Sequence, residues 1–234
     1  MESEASNSTI GLLLSGGLDS CILLGHLLGQ GRTVQPFYVR CRLAWEDDEL
    51  AAVRRFLRAV GRAGLRELVE LELPLEDVYG EHWSITGRDV PGAATPDQAV
   101  YLPGRNALLT IKPALWCRRE GIEELALAVL RSNPFPDATE EFFSRFESAL
   151  GCATAGQIRI VRPFAGLGKR EVMQRGRGLP LELTFSCIAP VDGRHCGACN
   201  KCAERQAAFR SVRLADPTPY ATPAIAGDGA AAVK

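Results

Sequence analysis

Apolar positions follow two periods that alternate along the chain. Short, nearly continuous apolar runs predict buried strands near residues 9–14, 33–39, 67–73, 125–130 and 158–162. Between them, apolar residues spaced three and four apart predict helices near 19–29, 46–60, 104–119, 140–150 and 169–177. In the second of these helices the stripe is Leu50, Val53, Phe56, Leu57 and Val60. Phe142, Phe143 and Phe146 form an aromatic stripe that reads as core. Pro113 is a candidate kink. Strands alternating with helices predict an α/β fold, a doubly wound and mostly parallel sheet covered on both faces. Residues 74–98 hold three prolines and three glycines with few apolar anchors and read as a long loop. No internal repeat is visible.

Composition narrows the class. At 234 residues with 46% hydrophobic content, the chain can build one domain with a real core. A net charge of −1 gives no general bias toward nucleic acid or anionic membrane. No run is long and apolar enough for a membrane span, and residues 1–8 lack a signal pattern, so a cytoplasmic protein is expected. Residues 1–8 and the Pro/Ala/Gly-rich tail, 217–234, are expected to be partly disordered.

The first chemistry-bearing stretch is residues 14–20, Leu-Ser-Gly-Gly-Leu-Asp-Ser. A glycine pair between a strand end and a helix start lets backbone N–H groups approach an anion. The helix N-terminus supplies unpaired donors and a positive dipole end. Ser15 and Ser20 add hydroxyls, and Asp19 can cap the helix or help hold a metal. A plain packing turn is the competing reading. The spelling excludes the Walker loop, which needs a Gly-Lys-Ser/Thr end, and the dinucleotide fingerprint, which needs a third glycine.

The second is Cys187-x8-Cys196-x2-Cys199-x2-Cys202, in a chain with eight cysteines. Four thiolates at this spacing suit a closed tetrahedral zinc site of structural type. An iron–sulfur cluster and unrelated reduced thiols are the alternatives. His195 reads as a surface or outer-sphere residue. Cys21 and Cys117 read as buried fillers.

Taken together, these stretches resemble the 7-cyano-7-deazaguanine synthase family, within the pyrophosphate-loop enzymes of adenine nucleotide alpha hydrolase-like fold. The similarity spans nearly the whole chain. Residues 14–20 resemble the pyrophosphate loop; Tyr101 to Asn106, Gly168 to Glu171, Leu183 to Cys187 and Asp216 to Tyr220 resemble further family segments. The resemblance implies ATP binding by Leu14, Ser15, Gly16, Gly17, Leu18, Asp19, Ser20 and Asn106, and catalytic roles for Asp19, Arg105 and Lys169. It implies ATP, Mg2+ and Zn2+ as cofactors, with zinc on Cys187, Cys196, Cys199 and Cys202. The implied reaction adenylates a carboxylate, displaces AMP with ammonia to give an amide, and repeats the activation to leave a nitrile. Taken alone, Arg105 reads as a surface ion pair, Asn106 as a helix cap and Lys169 as a solvated lysine.

Two segments depart from the family pattern. Residues 38–45, Tyr-Val-Arg-Cys-Arg-Leu-Ala-Trp, lack the expected Gln and His; residues 132–138, Ser-Asn-Pro-Phe-Pro-Asp-Ala, lack Tyr and Cys. Arg40, Arg42, Ser132 and Asp137 are therefore the candidate acceptor-pocket residues. For the two arginines, ion pairs with Glu46, Asp47 or Asp48 are an equal alternative. The departures admit a paralogue acting on another acid. A tRNA-thiolating enzyme and a non-catalytic zinc nucleic-acid binder are weaker readings, since no basic stripe is visible. Expected partners are a small-molecule acid and ammonia, with no membrane or nucleic acid; the resemblance also admits a homodimer. The expected organisation is a nucleotide-binding domain at 9–182 and a zinc segment at 183–216.

Overall fold

A computed structural model describes residues 9–154 and 156–221. Five strands form one parallel sheet in the order β3-β2-β1-β4-β5. They are β1 (Thr9–Leu13), β2 (Thr33–Arg40), β3 (Val69–Glu72), β4 (Glu124–Ala126) and β5 (Arg159–Val161). The major helices are α1 (Leu18–Gly29), α2 (Glu46–Val60), α5 (Arg105–Arg119), α6 (Glu140–Thr154), α7 (Lys169–Arg175) and α8 (Asn200–Ser211). Two one-turn helices, α3 (Glu76–Tyr79) and α4 (Trp83–Thr86), lie between β3 and α5.

Alternation along the strands sorts the core into two layers. Ile10, Leu12, Val34 and Tyr38 pack with α1, α2, α7 and α8. Phe37, Leu125 and Ile160 face the other way and pack with α5 and α6. Gly11 sets the closeness of that second layer. A Cβ there would lie 2.7 Å from Cys117 Sγ of α5 and 3.0 Å from Leu125. The sheet thus requires glycine where α5 crosses, and the doubly wound expectation holds. The order reverses at β1, between β2 and β4, and opens a crevice at the carboxyl ends of these strands.

The 74–98 segment corrects the long-loop expectation. Besides α3 and α4 it leads into a 3-10 turn, Asp97–Val100. Its order comes from tertiary partners, which composition does not reveal. Trp83 stacks on Trp45 with ring centroids 5.7 Å apart. The Ala93 amide donates to Ala198 O at 2.9 Å, and Asn200 Nδ2 donates to Thr95 O at 2.9 Å. The fourth strand is also shorter than its apolar run. Leu127 continues the ladder with one bond to Val161 O, and the buried Leu127, Val129 and Leu130 then line the crevice region.

The segment around the cysteines is continuous with the main core. Ala208 and Phe209 of α8, and Val212 just after it, share the cluster that holds α1 and β1. Residues 217–221, expected within the loose tail, pack as well: Thr218 is buried and the Ala221 amide donates to His195 O at 2.8 Å. The disorder expected for residues 1–8 and for the last dozen lies outside the described residues. Among the described residues no helix is long and apolar enough to cross a membrane.

Candidate active site and metal centre

The phosphate-loop candidate occupies the turn between β1 and α1. Gly16 has φ +78°, and a Cβ added there would meet Val53 Cγ2 at 2.8 Å and Glu49 O at 3.4 Å. Only glycine fits that bend. Gly17 then caps α1 in an extended conformation and contributes no side-chain acceptor, so the first-turn N–H groups are left to an outside acceptor. The Ser20 hydroxyl donates to Gly17 O at 3.2 Å and lies 3.1 Å from Ser15 Oγ. The Leu14 and Leu18 side chains are buried in the core, so these two residues offer a ligand backbone groups.

A cleft of about 380 Å³ opens above this turn, at the sheet's reversal point. It is lined by Ser15, Asp19, Arg105, Asn106, Ser132 and Lys169 among others, so the fold brings most of the predicted set together. Lys169 Nζ lies 2.7 Å from Asp19 Oδ2 and 2.8 Å from Glu204 Oε1, and Lys201 Nζ lies 2.8 Å from Glu204 Oε2. Burial alone would lower Lys169, but the Asp19 and Glu204 carboxylates outweigh it and hold the ammonium charged. Burial would raise Glu204, and the two lysines instead keep it at about 2. Asp19 Oδ1 and Arg105 Nε are buried polar atoms without a partner.

Tyr38 and Glu49 form the cleft's other wall, with Tyr38 Oη donating to Glu49 Oε2 at 2.7 Å. Burial pushes the Glu49 carboxyl up to about 7, although Arg105 and the Tyr38 hydrogen bond pull the other way.

Three of the four acceptor-pocket candidates take other work. The buried Asp137 accepts the Asn106 amide on Oδ2 at 2.9 Å and so caps α5; its own carbonyl accepts from Asn106 Nδ2 at 2.9 Å. Asn106 lines the cleft while also serving this cap. Arg40 pairs with Glu46 and Asp47 at 3.0 Å each, and Arg42 with Glu72 at 3.3 Å. The ion-pair alternative is the one observed, with Glu72 in place of Asp48, and neither arginine lines the cleft. Ser132 does, beside Asn133 and Phe135.

The four predicted cysteines converge. Their sulfurs lie within 4.8 Å of one another, all buried, with Cys187–Cys199 at 3.9 Å and Cys196–Cys202 at 3.8 Å. A tetrahedron with Zn–S near 2.3 Å has edges of roughly 3.8 Å, so the donor set fits zinc. Backbone amides of Ala189, Cys196, Ala198, Cys199 and Cys202 donate to the sulfurs at 3.2–3.4 Å, which favours thiolates. Of the two readings of His195, surface or outer-sphere, burial rules out the first; its Nε2 accepts the Ser186 amide at 3.0 Å, and burial holds the ring neutral, its pKa lowered to about 3.

The family profile described as queuosine biosynthesis protein QueC matches residues 9–213, nearly the whole described chain. The chain belongs to the QueC family. Its relatives include proteins named 7-cyano-7-deazaguanine synthase. That of Ralstonia nicotianae is 32% identical over 222 residues, covering 89% of this chain and 97% of its own. That of Methanothermobacter thermautotrophicus is 31% identical over 224 residues, covering 89% and 97%. Among solved structures, a 4-thiouridine synthetase–RNA complex with bound ATP aligns at TM-score 0.49 and 17% identity, over 88% of this chain and 50% of that one.

Within this QueC-family chain, sequence reasoning missed five cleft or support residues: Tyr38, Glu49, Lys201, Glu204 and Arg205. The signal for Glu49 was present. It stands four and seven residues before Val53 and Phe56, a carboxylate on an apolar helix stripe. Arg205 stands likewise between Cys202 and Phe209 on the buried side of α8. It is 1% exposed and donates to Thr218 Oγ1, Thr184 Oγ1 and Leu181 O at 2.7–2.8 Å.

Proposed function

We propose that this chain is an ATP-dependent carbon–nitrogen ligase that converts 7-carboxy-7-deazaguanine to 7-cyano-7-deazaguanine. The observation that carries the reading is the cleft itself: a glycine-bent helix N-terminus, with Lys169 and Arg105 beside it, at the reversal point of the sheet in a QueC-family chain. The names borne by the relatives supply the product, 7-cyano-7-deazaguanine, and the resemblance implies the 7-carboxy acid as its precursor.

The carboxylate is a poor electrophile because its leaving group would be oxide. Attack of its oxygen on the α-phosphorus of ATP forms an acyl adenylate and releases pyrophosphate. The first-turn N–H groups of α1, the Ser15 and Ser20 hydroxyls, Arg105 and Lys169 lie where they can neutralise the departing pyrophosphate. Asp19, with a buried carboxylate oxygen lacking a partner, suits a magnesium ion carried with the nucleotide. When bound, that ion supplies charge neutralisation on the phosphates. Ammonia adds to the acyl carbon, AMP leaves, and a proton is lost from nitrogen, giving the amide. Activation of the amide oxygen by a second ATP, followed by loss of AMP and protons, gives the nitrile. Cys187, Cys196, Cys199 and Cys202 would hold zinc in a closed site of structural type.

The test is incubation of the zinc-loaded protein with ATP, magnesium, ammonium and 7-carboxy-7-deazaguanine, followed by mass spectrometry. The expected product is the acid's ammonium salt less two waters; loss of one water marks an amide-forming paralogue. ATP turnover only with a different acid, or no ATP binding at all, would refute the proposal.

A further inference from the structure

Lys169 has two carboxylate partners, and they come from two different helices. Asp19 belongs to the loop-bearing helix α1, and Glu204 to the metal-bearing helix α8. The second oxygen of Glu204 is taken by Lys201, one turn earlier on α8. Asp19, Lys169, Glu204 and Lys201 thus form one chain of alternating charge, and all four line the cleft.

We propose that Glu204 is a positioning residue for nucleotide binding: it anchors Lys169 from the α8 side, and Lys201 cancels the charge this anchor brings into the cleft. The inference rests on the reading that the Ser15–Ser20 turn receives the phosphates of ATP.

Three physical points support it. An ammonium has three donors, and two carboxylates leave one for a phosphate oxygen. A lysine free to rotate loses up to about 2 kcal/mol of rotamer entropy on binding; one already held at two points has given up much of that beforehand. The anchor is also rigid. Its neighbour Arg205 is 1% exposed and fixed by hydrogen bonds to Thr184, Thr218 and Leu181, and Cys199 caps the helix by accepting the Cys202 amide. The backbone that carries Glu204 is therefore fixed, and Lys201 holds its second carboxylate oxygen at 2.8 Å.

Lys201 answers a second need. A bare carboxylate at the side of the cleft would repel a polyphosphate, and in a partly buried site that repulsion is weakly screened. A lysine three residues earlier on the same helix face neutralises it without occupying the loop.

The experiment is a binding titration of a non-hydrolysable ATP analogue with magnesium, on full-length protein, for the unmodified chain, Glu204→Gln, Lys201→Met and the double variant. Zinc content and thermal melting are measured in parallel. Glu204→Gln is expected to weaken analogue binding about 10-fold. Lys201→Met is expected to weaken binding alone and to change nothing further when Glu204 is already Gln, because its role is to balance that charge. Unchanged binding in Glu204→Gln, or additive losses in the double variant, overturns the inference while leaving the nucleotide reading intact. An unmodified chain that binds no analogue overturns both.

Discussion

The backbone amide of Phe185 donates to the carbonyl of Gly16 at 2.8 Å. One residue sits at the bend of the phosphate-loop candidate, and the other lies two before the first metal-ligand candidate. The Phe185 ring also packs on His195, with centroids 4.6 Å apart. The metal-bearing segment thus buttresses the loop directly.

With zinc on the four thiolates, that contact should couple the order of the loop to the metal. Elemental analysis should find about one zinc per chain. Chelation or Cys202→Ser should lower the melting temperature and open residues 185–221 to limited proteolysis. Iron in the purified protein, or a metal-free chain equally resistant to protease, would contradict the assignment.

Gly16→Ala should damage the turn in two separable ways. The positive φ costs about 1–2 kcal/mol in alanine, and the new methyl would overlap the buried Val53 at 2.8 Å. Adding Val53→Ala to Gly16→Ala should relieve only the steric part of the new strain. Chemical denaturation of the two single variants and the double one separates the terms.

Glu49 predicts a pH signature. Its carboxyl is raised in the folded chain from 4.5 to about 7, so folding favours the protonated form. The penalty for keeping it ionised is absent below about 4.5, grows as pH rises and is complete above about 7. Glu49→Gln should therefore raise the melting temperature at pH 8 and have little effect at pH 4. The charged groups that act on Glu49 are Glu46 and Arg105, and its phenol partner is Tyr38. An equal effect at both pH values would rule out this cause.

Arg205→Leu should be among the more disruptive single changes. It removes the guanidinium donors from Thr218 Oγ1, Thr184 Oγ1 and Leu181 O in a buried site, although the Thr184 hydroxyl still donates to Leu181 O at 2.6 Å; the loss is roughly 2–4 kcal/mol. The check is a lower urea midpoint with an unchanged slope.

Arg42 offers the opposite case. It is half exposed and pairs at 3.3 Å with an exposed Glu72. Arg42→Ala should shift stability by less than about 0.5 kcal/mol and leave the KM for the acid unchanged. A large KM effect would return Arg42 to the substrate pocket.

Much of this was legible in the chain. Gly16, the serines around it and the cysteine spacing each follow from local chemistry: a bend that excludes Cβ, donors without partners, and thiols one turn apart. Residues 74–98 were illegible because their order comes from Ala198, Asn200 and Trp45, which no local pattern connects to them. The capping contact of Asp137 was illegible for a related reason. Its carboxylate meets the Asn106 amide only because α5 begins beside it in space.

By itself, then, the sequence determined the alternating periods that build the sheet, the glycine bend at its first strand end and the four-thiol set. These depend on interactions over a few residues. Only the tertiary structure decided the partners of each charge: Lys169 between Asp19 and Glu204, Arg40 on the buried Glu46, Arg42 on the exposed Glu72, and Glu49 pressed beside Tyr38 and Gly16. Electrostatic energy depends on distance and burial, and neither is defined until elements far apart in sequence have packed.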